Sequence, residues 1–112
     1  AILSQMPEPD RNLLPETRAM LAASCMESLR QGAEPAVDEG LAIRLRWPFA
    51  IEDVTCDTEV WSGDADVRAA PSLRLLSQRL PRARQMVLAG AGHYLVFTHG
   101  ETILSSLASG RK

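Results

Sequence analysis

The stretch Glu59–His93, EVWSGDADVRAAPSLRLLSQRLPRARQMVLAGAGH, decides how this chain folds. Glu59-Val60-Trp61-Ser62 has the length and residue types of a short strand, and Gly63 punctuates it. Pro71 suits the first turn of a helix on which Leu73, Leu76 and Leu80 recur at i, i+3 and i+7, and Pro81 stops that helix. Met86-Val87-Leu88-Ala89 is a continuous apolar run of strand length, bounded by Gly90 and Gly92. Strand, helix and strand in about thirty residues make one crossover unit, so the two strands are predicted to be parallel neighbours. An all-apolar second strand fits a sheet covered on both faces. The predicted fold class is α/β, a partial parallel sheet covered by helices.

Working outward, residues 1–12 read as an irregular lead-in. A helix is expected from near Leu14, with Pro15 in its first turn and Ala22, Cys25, Met26 and Leu29 forming one apolar stripe before Gly32 ends it. Pro35 starts a second, shorter helix. Trp47 to Asp53 reads as a connector whose aromatics plug into a core. After the second strand, Tyr94-Leu95-Val96-Phe97 anchors the last loop against the sheet. A final helix over Glu101–Ser109 buries Ile103, Leu104, Leu107 and Ala108. Two strands make a poor independent core. The missing strands are expected either in a longer polypeptide or in a second copy, and an open sheet edge predicts a dimer or larger oligomer.

The chain's 112 residues suffice for one small domain. Twelve basic residues, Lys112 the only lysine, stand against 14 acidic ones for a net charge of −2, which argues against a nucleic-acid backbone as partner. No apolar run reaches the roughly eighteen residues of a membrane span and no signal peptide is readable, so the expected location is cytoplasmic. Ala1 in place of an initiator Met points to a piece of something longer. Cys25 and Cys56 allow one disulfide and require none. With His93 and His99 they supply zinc-ligand types but no short pair at a normal spacing, so no metal or cofactor is expected.

The residues suited to chemistry follow the two strands. Asp64 and Asp66 come after the first, His93 after the second. Parallel neighbours would bring both loops to one carboxyl-end edge, where open α/β sheets place their sites. A carboxylate there holds the imidazole tautomer and favours the imidazolium formed when His takes a proton. Gly90 and Gly92 let the chain turn tightly and bring His93 over that edge. Spacing alone does not choose between Asp64 and Asp66.

Gly63-Asp64-Ala65-Asp66, Pro71 before a leucine helix, Leu80-Pro81-Arg82-Ala83 and Gly90-Ala91-Gly92-His93 together resemble the carboxyl-terminal part of an α/β-hydrolase-fold protein. In that fold the triad acid follows the penultimate core strand in a Gly-x-x-Asp element, and the triad histidine follows the last strand in a Gly-His element. The resemblance spans residues 13–109 and implies that Asp66 and His93, 27 positions apart, are the catalytic acid and base, with Asp64 as the turn residue. It further implies that residues 1–50 are lead-in and the tail of a helical cap, and that residues 51–112 are the end of the α/β core. In such a cap Met20, Met26, Trp47 and Phe49 would line the pocket for a small apolar or amphipathic substrate. Arg44, Arg46 and Arg68 read as a solvated face.

The family also needs a nucleophile on a Gly-x-Ser-x-Gly elbow with an oxyanion hole beside it. None of the nine serines stands in that pattern. The expectation is therefore a fragment of a serine hydrolase, inactive alone, with Asp66 orienting His93 toward a serine in the parent protein. The alternatives are a binding or oligomerisation module, or another chemistry on the same fold, such as a dehalogenase with Asp at the elbow.

Overall fold

The structure, a computed structural model, describes residues 5–110. In chain order its elements are α1 (Glu8–Arg11), α2 (Pro15–Ser28), α3 (Glu34–Ala42), a 3-10 turn at Ile51–Asp53, β1 (Thr58–Gly63), α4 (Ala70–Arg79), β2 (Ala83–Leu88) and α5 (Leu95–Ser109). The architecture is α/β. Among the described residues two compact units are present: 5–13 with 51–110, and Leu14–Ala50. Residues 5–13 therefore belong to the unit that holds the sheet.

In the first unit β1 and β2 pair in parallel, Thr58 opposite Ala83 through Gly63 opposite Leu88. α4 packs against both strands and the 3-10 turn, and α5 against β1. Pro71 sits in the first turn of α4, where a missing N–H costs nothing. Leu73 and Leu76 are half-buried and Leu80 is buried at its end. Arg79 grips Glu52 through two hydrogen bonds, Nε to Oε1 at 2.7 Å and Nη2 to Oε2 at 3.2 Å, tying α4 to the turn. Those bonds hold the Glu52 carboxyl below its ordinary range. The buried apolar residues are Leu13, Val60, Leu80 and Ala91, and among the described residues no large side chain is wholly enclosed.

Several expectations change here. β2 begins at Ala83 rather than Met86 and takes in Arg84 and Gln85, and Val87 is 57% exposed. α4 packs on β2 whereas α5 packs on β1, and Val87 reaches water, so the double covering inferred from the apolar run of β2 is not formed among the described residues. α5 begins at Leu95, with non-helical dihedrals at His99 (φ −129°), so the run after Tyr94 is helix rather than anchoring loop. Its inward face is Ile103 and Ser106, whereas Leu104 and Leu107 are exposed. Ser106 Oγ donates to Glu59 Oε1 at 2.8 Å, and Trp61 Nε1 donates to Glu59 Oε2 at 3.0 Å. The Ser106 hydroxyl first, then the Arg84 guanidinium, outweigh burial and lower the Glu59 pKa.

The second unit is two helices. Pro15 opens α2, Gly32 turns the chain at φ +97°, and Pro35 lies in the first turn of α3. No residue from Leu14 to Ala50 is buried. The stripe of Ala22, Cys25, Met26 and Leu29 is exposed, because two short helices offer each other too little surface to cover it. Trp47 and Phe49 pack on each other with ring centroids 5.3 Å apart, and both are exposed rather than plugged into a core. Among the described residues, no helix is long and apolar enough to cross a membrane.

Candidate active site

Parallel pairing sends the loops after β1 and β2 out of the same end of the sheet, and three bonds join them. The Asp64 amide donates to the Leu88 carbonyl at 3.1 Å, and the Ala65 amide to the Ala91 carbonyl at 3.1 Å. The Gly90 amide, in a loop where Gly90 takes φ +70°, donates to Asp64 Oδ1 at 2.8 Å. Asp64 thus braces one loop against the other. Gly63 makes the crossing feasible: a Cβ there would stand 2.1 Å from the Ala91 carbonyl oxygen.

Across this junction Asp66 Oδ2 meets His93 Nδ1 at 2.7 Å. The Asp66 side chain is 9% exposed, that of His93 64%. Asp66 Oδ1 accepts from the Ala69 amide at 3.2 Å, so both carboxylate oxygens are engaged. Burial pushes the Asp66 pKa up. The His93 hydrogen bond, the Ala69 and Arg68 amides and the charge of a protonated His93 outweigh it, and the net direction is down. With Asp66 ionised and Nδ1–H donating to it, the neutral ring carries its lone pair on Nε2. That is the arrangement of a general base with its orienting acid.

Asp10, in α1, is 4% exposed. Its Oδ2 accepts from the His93 amide at 2.9 Å and its Oδ1 from the Tyr94 amide at 2.9 Å. Gly92 makes room, since a Cβ there would lie 2.3 Å from Asp10 Oδ1. Nothing local in the sequence marks this contact, which joins residues more than eighty positions apart.

A cleft of about 490 Å³ opens beside the pair, bordered by Met6, Pro7, Arg68 and Tyr94. Tyr94 meets the His93 ring edge-on, centroids 5.5 Å apart. Arg68, read as solvated, is exposed and lines this cleft. Met20, Met26, Trp47 and Phe49 are exposed residues of the second unit. Among the described residues no hydroxyl or thiol hydrogen-bonds His93 Nε2. Ser24 and Ser28 lie in α2, Ser62 in β1, Ser72 and Ser77 in α4, and Ser105, Ser106 and Ser109 in α5, while Ser4 lies outside the described residues. Cys25 and Cys56 are both free and exposed. His99 shares a 2.8 Å hydrogen bond with Thr98 Oγ1. No protein-family model, curated protein or solved structure matches this chain.

Proposed function

We propose that this chain is the carboxyl-terminal part of an α/β-hydrolase-fold serine hydrolase, with Asp66 and His93 as two of its three catalytic side chains. The observation that carries the reading is the 2.7 Å contact between a buried carboxylate and an exposed imidazole, at the carboxyl edge of two parallel strands. In this mechanism His93 Nε2 takes the proton of a serine hydroxyl supplied by the parent protein as the serine oxygen bonds to the carbonyl carbon of an ester or amide. The imidazolium, held by Asp66, gives that proton to the departing alcohol or amine as the scissile bond breaks. Water, deprotonated by the same nitrogen, then releases the acid and restores the serine. Met6 and Pro7 give the cleft an apolar wall suited to a small apolar or amphipathic substrate.

Self-association of the isolated chain is the second part of the proposal. It is supported by a sheet of two strands with open edges and by the exposed Val87, Phe97 and Leu104. The functional reading is tested by ester hydrolysis in the parent protein. His93→Ala is expected to lower kcat by about 10⁴-fold or more and Asp66→Asn by a comparable factor, while the isolated chain gives no turnover. Full activity of the parent carrying His93→Ala would remove the pair from the mechanism.

A further inference from the structure

We infer that Asp10 is a positioning residue that sets His93 for its bond with Asp66; the inference rests on reading those two as a proton-transferring pair. The His93 ring stands over the sheet edge on a backbone that belongs to no strand, and helix α5 begins only at Leu95. What fixes that backbone is the Asp10 carboxylate, one oxygen on the amide of His93 and the other on the amide of Tyr94, each at 2.9 Å. Two successive amides held in this way fix the peptide planes on both sides of the His93 Cα. They thereby fix the direction of its Cβ, and the 2.7 Å approach of Nδ1 to Asp66 depends on that direction.

The head group must be a carboxylate. Two amides need two acceptors, and only Asp or Glu offers two oxygens with no competing donor. Asn would turn an NH₂ toward one of the N–H groups. The site is fitted to its occupant from the opposite side as well, because the absent Cβ of Gly92 leaves the space that the Asp10 carboxylate fills. Leu13, buried three residues later, anchors the same segment. The triad acid therefore orients the ring, and a second acid, supplied from the other end of the sequence, orients the backbone that carries the ring. Asp66, Asp10, Arg68 and Tyr94 are the titratable groups lining the cleft with His93.

The experiment uses the 112-residue chain with ¹⁵N-labelled histidine and reads the ring-nitrogen shifts of neutral His93, which report which nitrogen carries the proton. Wild type is expected in the Nδ1–H form with a hydrogen-bonded Hδ1 resonance. Asp10→Ala and Asp10→Asn are expected to lose that resonance and give a mixture of tautomers in molecules that remain folded, and Asp10→Glu to recover part of it. Folded variants that keep the wild-type tautomer while melting earlier would make Asp10 a structural residue only and overturn the inference. Failure of both Asp10→Ala and Asp10→Asn to fold would overturn it in the same way. A wild-type ring without the Nδ1–H form would instead refute the Asp66–His93 reading, and the role of Asp10 with it.

Discussion

Asp66 is a buried carboxylate whose protonation the fold feels, as it does that of Glu52 and Glu59. Its carboxyl is held below the ordinary range near 3.9. A carboxyl depressed in the folded state contributes stability that is complete above its unfolded pKa and lost as pH falls through the folded one. Acid titration of the melting temperature should therefore show a decline beginning below about pH 4, and Asp66→Asn should flatten that part of the curve. A decline of wild-type size in the variant would assign the acid sensitivity to other carboxylates. Asp10 makes a different demand. Removing its side chain strands two backbone amides, each costing about 1–3 kcal/mol where water does not replace the acceptor, so Asp10→Ala should lower the unfolding free energy measured in urea by at least that much. Asp64, Asp66 and His93 were legible because glycine-bounded strand ends announce them. Asp10 was not, because its meaning lies wholly in partners at the far end of the chain.

At the scale of elements, the strands, α4 and the two proline-started helices were readable from apolar spacing and from proline and glycine punctuation. The misreadings share one cause. Periodicity reports what a segment could bury, and this fold leaves much of it uncovered. Arg84 and Gln85 disguised the start of β2 because an edge strand tolerates polar side chains, and Gly100 beside the bent His99 disguised the start of α5. The stripe of α2 and the Trp47–Phe49 pair looked like core and stand exposed. The packing that does exist joins the two strands, α4, the 3-10 turn and α5. Leu80→Ala, at one of the few buried apolar positions, should cost about 2–4 kcal/mol in chemical denaturation. Met26→Ala, 72% exposed, should change stability by less than about 0.5 kcal/mol. Equal losses at the two positions would mean that Met26 is covered in solution.

At the scale of the whole molecule, the four buried apolar residues and the two-stranded sheet found among the described residues are a thin foundation, since three or more strands are the usual requirement. The proposed answer is that further strands come from the parent chain or, for the isolated piece, from another copy. Sedimentation at micromolar concentration should then find a dimer or larger species, and a well-folded monomer would contradict it. The hydrolase proposal is tested most directly by treating the parent protein with a serine-directed fluorophosphonate and locating the label by mass spectrometry. The expected result is one labelled serine outside this 112-residue segment, with labelling slowed by orders of magnitude in His93→Ala. Labelling at an undiminished rate without His93, or no labelled serine at all, would contradict the account.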